Sequence, residues 1–278
     1  MMKTVALPSG ERVPAFGMGT WNMGDSKAAR AEELATLRLG LDLGATLIDT
    51  AEMYGDGRSE ELVAEAVAGR RDEVFIVTKV YPHNASRKGV PAACERSLRR
   101  LGTDRIDLYL LHWRGTIPLA ETMEAFAALQ KAGKIRHYGV SNLDLDDVQA
   151  LWKFPAGKTV AANQLLYNLT RRGIEWDLLP WLRERNVPVM AYSPVEQGEL
   201  LGEPKFVDFA RRNGMTPAQA ALAWLLSKDG VIVIPKTGRR DRLKENLGAL
   251  ERTLDAAQRA EMDRMFPPPK RAQPLEML

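Results

Sequence analysis

Four polar residues sit where this chain's apolar runs end or just beyond. Asp49 follows Thr46-Leu47-Ile48, Lys79 closes Val74-Phe75-Ile76-Val77-Thr78, and His112 follows Ile106-Asp107-Leu108-Tyr109-Leu110-Leu111. Tyr54 lies in Met53-Tyr54-Gly55-Asp56-Gly57, shortly after Asp49. A lysine at the end of a buried run is costly unless it is paired or used. Asp49 and Lys79 end consecutive strands, so their side chains can meet and an ion pair would keep Lys79 charged. The two glycines let the Tyr54 loop approach closely. An ammonium beside a phenol favours the phenolate and is expected to lower the Tyr54 pKa from about 10, suiting it to general acid or base work near neutrality. His112, on the next strand, is placed to donate a hydrogen bond to a substrate oxygen.

These groups need strands to hold them. Val74–Lys79 reads as a buried parallel strand, being β-branched or aromatic up to its closing lysine. Similar runs are Phe16–Thr20, Thr46–Ile48, Ile106–Leu111, Arg136–Val140 ending in Ser141 and Asn142, Val160–Asn163 ending in Gln164, Val187–Tyr192 ending in Ser193, and Val231–Pro235 ending in Lys236. Between them lies helical sequence: Arg58–Gly69 with Leu62, Val63, Ala66 and Val67 on one face, Val90–Leu101 stopping at Gly102, Pro118–Lys134, and a helix opened by Thr216-Pro217. Strand–helix alternation favours a parallel sheet, and eight units favour closure into a (β/α)8 TIM barrel, with polar strand ends gathered at one mouth. The competing arrangement is an open doubly wound sheet. Thr4–Pro14, with Pro8-Ser9-Gly10 at its centre, reads as an N-terminal β-hairpin capping the opposite end.

The chain has 278 residues, near the barrel's usual size of about 250, and is expected to form one domain over residues 1–278. No apolar run approaches the roughly 20 residues needed to cross a bilayer, and Met1-Met2-Lys3 is not followed by a signal-peptide core. Cys94 is the only cysteine, so no disulfide can form within the chain. A cytoplasmic location is expected, with no membrane partner. The net charge of +3 is too small and dispersed to argue for nucleic acid; the local exception is Arg239-Arg240-Asp241-Arg242-Leu243-Lys244. After Pro267-Pro268-Pro269, a polar tail is expected to wrap the surface or fray.

Several chemistries are poorly supported. His83, His112 and His137 share no ligand-like spacing, which argues against a metal centre. Gly17-Met18-Gly19 lacks the third glycine of a dinucleotide fingerprint, and neither a phosphate-binding P-loop nor a nucleophile elbow is present.

The motifs together resemble the aldo-keto reductase family. The resemblance rests on Gly17-Met18-Gly19-Thr20-Trp21, Ile48–Gly55, Val77-Thr78-Lys79, Leu110-Leu111-His112-Trp113, Gly139-Val140-Ser141-Asn142, Ala191-Tyr192-Ser193-Pro194 and Ile234-Pro235-Lys236-Thr237, spread in order over most of the chain. It implies an oxidoreductase of monomeric type, a monomer or weak oligomer, that reduces aldehydes or ketones with NADPH and without a Rossmann fold. It further implies the tetrad Asp49, Tyr54, Lys79 and His112, with Tyr54 as proton donor. Ser141, Asn142 and Gln164 would hold the cofactor's carboxamide and Tyr192 would stack on its ring. Ser193, Pro194 and the loop carrying Gln197 and Leu200 would strap the pyrophosphate. Lys236, Thr237, Arg242, Glu245 and Asn246 would take the adenosine 2′-phosphate. Gly19, Thr20, Trp21 and Asp49 complete the implied cofactor contacts. Trp21, Tyr54, His112 and Trp113 would line a pocket for a small carbonyl substrate. Two other readings stay open: a non-catalytic NADPH-binding regulatory subunit on the same fold, and a Schiff-base lyase using Lys79 or Lys236.

Overall fold

A computed structural model describes residues 2–278. The hairpin comes first: β1 (Thr4–Ala6) pairs antiparallel with β2 (Arg12–Pro14). Eight parallel strands follow, β3 (Gly17–Gly19), β4 (Leu47–Asp49), β5 (Phe75–Val80), β6 (Ile106–Leu111), β7 (Ile135–Ser141), β8 (Asn163–Leu166), β9 (Val189–Tyr192) and β10 (Val231–Val233). Each pairs with the next in sequence. Bridges Phe16–Val233 and Gly19–Lys236 bring the last strand back to the first, so the sheet closes into a barrel rather than staying open.

The helices are α1 (Arg30–Asp42), α2 (Arg58–Ala66), α3 (Gly89–Leu101), α4 (Leu119–Lys131), α5 (Leu145–Leu151), α6 (Leu178–Glu184), α7 (Pro204–Arg212), α8 (Pro217–Leu226), α9 (Arg240–Leu247) and α10 (Ala256–Met265). They form the outer layer, and their apolar faces pack on the strands. Phe126 of α4, for example, lies between Tyr109 of β6 and Tyr138 of β7, with ring centroids 5.4 and 5.7 Å away. Helix α8 starts with a capping box in which Thr216 and Gln219 satisfy each other's backbone N–H groups. None of the described helices is long and apolar enough to cross a membrane.

The hairpin covers the mouth where strands begin. Leu7 and Val13 are buried in the core. Glu11, in its turn, bonds Arg136 and the His137 ring, both near the start of β7, at 2.7 Å.

One expectation changes. The strand expected at Val160–Asn163 instead begins at Asn163. A 3-10 turn at Pro155–Thr159 delivers the chain to β7 late; Ala161 N and Ala162 O bond β7 singly, before a regular ladder starts. The tail takes the first of its two expected courses and wraps the surface: Leu275 N donates to Asp144 Oδ2 at 3.1 Å, and Glu276 pairs with Arg171 at 2.6 Å.

Candidate active site

Lys79 sits at the end of β5 with no exposed surface. Its ammonium is fully matched: it donates to Asp49 Oδ2 at 2.8 Å, to the Thr50 carbonyl at 2.8 Å and to the Tyr54 hydroxyl at 3.2 Å. The register explains the first contact, since β4 and β5 are paired and Asp49 ends β4. The Thr50 side chain belongs to a buried hydroxyl network: Thr50 Oγ1 bonds Ser59 Oγ at 3.2 Å, and Ser59 donates to Thr20 at 2.8 Å.

Tyr54 reaches this point because its loop turns through three left-handed residues, Gly55, Asp56 and Gly57, at φ 58°, 53° and 94°. A Cβ at Gly57 would meet the Arg100 guanidinium, and one at Gly55 would meet the Asp25 carboxylate. Asp25 is itself pinned by Arg58 at 3.0 Å. The loop therefore needs glycine on both counts, conformation and space.

Burial pulls the Lys79 pKa down, but Asp49 and Tyr54 outweigh it, and the net direction is up. The amine stays protonated. For Tyr54 the sequence-based expectation reverses. Burial raises its pKa by more than the Lys79 charge lowers it, so the phenol is held in its protonated form. His112 goes the other way: burial and the Lys79 charge push it down to about 2, and the imidazole is neutral. Its Nδ1 is buried with no hydrogen-bond partner. Its ring meets Tyr54 edge-on at 5.8 Å and Trp113 at 4.8 Å. Trp21 stands at the rim, 46% exposed.

A second group of residues continues round the mouth from β7 to β9. Gln164 Nε2 donates to Asp49 Oδ1 at 2.7 Å. Ser141 Oγ donates to the Gln164 carbonyl at 3.0 Å. Asn142, at φ 54°, donates to the His112 carbonyl at 3.2 Å and accepts from the Tyr192 hydroxyl at 2.9 Å. The structure thus joins Ser141, Asn142, Gln164 and Tyr192 to the tetrad by hydrogen bonds. Thr20 is buried and its hydroxyl donates to the Asp49 carbonyl, so it supports the site from behind. Gly19 lets β3 approach the Ile234 carbonyl, which a Cβ would meet at 2.9 Å.

After β9 the backbone is held in left-handed conformations at Ser193, Glu196 and Gln197. Pro194 and Leu200 are buried, and Gln197 is exposed. Glu196 turns inward: its carboxylate accepts from Asn168 at 2.6 Å and from Arg171 at 2.8 Å. Arg171 also holds Glu276, which ties this loop to the tail. Leu278 N reaches the Tyr192 hydroxyl at 3.4 Å.

The basic segment divides in two. Arg239 pairs with Asp241 and Arg240 with Glu32. Lys236, Arg242 and Lys244 are exposed and, among the described residues, have no acidic partner. Thr237 Oγ1 accepts from Arg239 N at 3.2 Å, Glu245 is half-buried and Asn246 is buried.

The sequence profile of the Aldo/keto reductase family matches residues 15–266. The chain belongs to the aldo/keto reductase family. It is 46% identical to methylglyoxal reductase YeaE of Escherichia coli K12, over 99% of each chain. Among solved structures it resembles an aldo/keto reductase from Klebsiella pneumoniae in complex with NADP and acetate, with a TM-score of 0.97 and 48% identity over all of both chains. The thermostable aldo-keto reductase Tm1743 superimposes with a TM-score of 0.88 at 38% identity, over 95% of this chain and all of that one.

Several supporting residues of this reductase were missed in the sequence. Tyr81, whose ring meets Trp113 edge-on at 5.7 Å, follows β5 directly and was detectable as an aromatic just past Lys79. Ser59, Asn168 and Arg171 carry no sequence signal, because their partners are distant in the chain.

Proposed function

We propose that this reductase converts small aldehydes and ketones to alcohols using NADPH, with Tyr54 as the proton donor. The observation that carries the reading is the buried Asp49–Lys79–Tyr54 chain with neutral His112 edge-on to the phenol.

The residues present suit the cofactor. Donors and acceptors on Ser141, Asn142 and Gln164 match a carboxamide, and Tyr192 offers an aromatic surface beside them. Lys236 and Arg242, exposed and without an acidic partner among the described residues while Arg239 and Arg240 are paired, suit a 2′-phosphate. Main-chain groups of Ser193, Pro194, Gln197 and Leu200 would follow the pyrophosphate, since the Glu196 carboxylate is turned inward and matched. When bound, the reduced nicotinamide supplies a hydride to the carbonyl carbon.

The chain's own residues do the rest. Tyr54, held protonated by burial, gives its proton to the carbonyl oxygen as that oxygen becomes an alkoxide. Lys79 then stands beside the phenolate left behind and stabilises it. We assign the His112 proton to Nε2, which leaves an accepting lone pair and not an unmatched N–H at the buried Nδ1. That N–H would orient and polarise the carbonyl. Trp21, Trp113 and Tyr81 would wall an apolar pocket.

A Schiff-base role for Lys79 is disfavoured, because its ammonium is charged and its three hydrogen bonds are all used. Methylglyoxal is the first substrate to test, followed by a panel of neutral aldehydes and ketones. Loss of NADPH absorbance on adding an aldehyde is expected. NADPH binding with no turnover across the panel would favour the regulatory-subunit reading instead.

A further inference from the structure

The two oxygens of the Asp49 carboxylate are divided between two partners. Oδ2 accepts from Lys79 at 2.8 Å, and Oδ1 accepts from the Gln164 amide at 2.7 Å. Both residues are almost wholly buried. The Gln164 main chain is tied in turn to β7, its carbonyl accepting from Ser141 Oγ at 3.0 Å and from Asn142 N at 2.9 Å. We infer that Gln164 is a positioning residue for the proton donor, acting through Asp49 and Lys79 on Tyr54, in addition to any contact it makes with a carboxamide. The inference rests on the acid role proposed for Tyr54.

The physical argument is one of competition for a single ammonium. Lys79 serves three acceptors, and its bond to Tyr54 is the longest of them at 3.2 Å. A hydrogen-bond donor on a carboxylate spreads and stabilises its charge. With the Gln164 donor present, Asp49 draws on Lys79 less strongly. Without it, the carboxylate pulls the ammonium towards itself and away from the phenol. The groups facing Tyr54 are Asp49 from β4, Lys79 from β5, His112 just after β6 and Tyr192 from β9, with Asp25 and its partner Arg58, which opens α2, against the Tyr54 loop. Of these, only Asp49 is bonded by the Gln164 side chain. Losing that bond should therefore make Tyr54 a weaker acid with no cofactor present.

The test uses the free protein labelled with fluorotyrosine and observed by fluorine NMR. Fluorine acidifies every phenol and brings its titration closer to the range in which the protein stays folded. Tyr54 is assigned by its missing signal in Tyr54→Phe. In Gln164→Met, which keeps the length but removes the donor, the Tyr54 midpoint is expected to rise by about half a pH unit or more, roughly a threefold drop in its ionisation constant. Gln164→Asn, which withdraws the amide by one methylene, should move it the same way. The core phenols Tyr109, Tyr138 and Tyr167 should stay where they are. A Tyr54 midpoint equal to wild type, with NADPH binding weakened, would make Gln164 a cofactor ligand only and overturn the inference. Failure of both variants to fold, read by thermal unfolding, would overturn it too, since a structural role would then suffice. Because the readout needs neither cofactor nor turnover, a protein that shows the shift but reduces no aldehyde would refute the proposed function and leave the coupling intact.

Discussion

The Tyr54 hydroxyl oxygen stands 3.2 Å from the Lys79 ammonium nitrogen, and that nitrogen lies 4.9 Å from the Tyr54 ring centroid. The lysine thus touches both the atom that would lose a proton and the ring that would carry the resulting charge. Removing the hydroxyl alone leaves the ring contact and the packing in place. Tyr54→Phe is therefore expected to fold and to bind NADPH nearly as wild type does. Carbonyl reduction should fall by about 100- to 10,000-fold, the usual size of a lost general acid. Reduction within a few-fold of wild type would remove Tyr54 from the mechanism.

Burial holds His112 neutral, with its pKa at about 2, and this makes a pH expectation. No limb attributable to histidine should interrupt kcat between about pH 5 and 8, the range where an unperturbed imidazole titrates. Stability should behave differently. The unfolded chain takes up the His112 proton near its ordinary value of 6.5, while the folded chain resists until about 2. The unfolded state binds more protons across that interval, so stability is complete above 6.5 and declines as pH falls through it. His112→Gln should flatten the acid side of a Tm-against-pH curve. An unchanged acid slope would show that other groups set it.

Cofactor choice is expected to turn on Lys236 and Arg242. Lys236→Ala and Arg242→Ala should each weaken NADPH binding roughly 10- to 100-fold, the loss expected of a charge-assisted hydrogen bond. NADH, which lacks the 2′-phosphate, should be affected far less. Arg240→Ala serves as the comparison, because Arg240 is already paired with Glu32. Equal losses for the two cofactors would reduce the pair to a solvated basic surface.

The eight strands and the meeting of Asp49, Tyr54, Lys79 and His112 were legible because they depend on short-range pattern. An apolar run announces a strand, and the polar residue that ends it announces the mouth. Ile106–Leu111 was read to the residue. The strand before Gln164 was misplaced because Val160-Ala161-Ala162 is apolar enough to be strand, and only the preceding turn delays its pairing. The sign of the Tyr54 shift was misjudged for a related reason. A neighbouring lysine can be read from sequence, whereas the depth of burial that outweighs it depends on the assembled loop. Arg171 was invisible, since its partners Glu196 and Glu276 lie 25 and 105 residues further along the chain.

Asp49 and Lys79 form a buried ion pair, and that fixes how their variants should behave. Lys79 has no exposed surface and Asp49 almost none. Asp49→Asn leaves a buried ammonium with only the Thr50 carbonyl, the Tyr54 hydroxyl and a neutral amide around it. Lys79→Met leaves a buried carboxylate with the Gln164 amide as its remaining side-chain donor. Breaking such a pair from one side typically costs about 3–5 kcal/mol, because the other charge stays buried and uncompensated. Removing both charges removes that penalty, so the double variant should unfold at a higher temperature than the sum of the single losses implies. Activity should also be non-additive. Each single change already disables the support of Tyr54, so the second has little left to remove. The comparison belongs in single-turnover hydride transfer, since product release can mask the chemical step. Multiplicative losses in rate together with additive losses in stability would mean that the two strand ends act independently, and Lys79 would then no longer be the link between Asp49 and the proton donor.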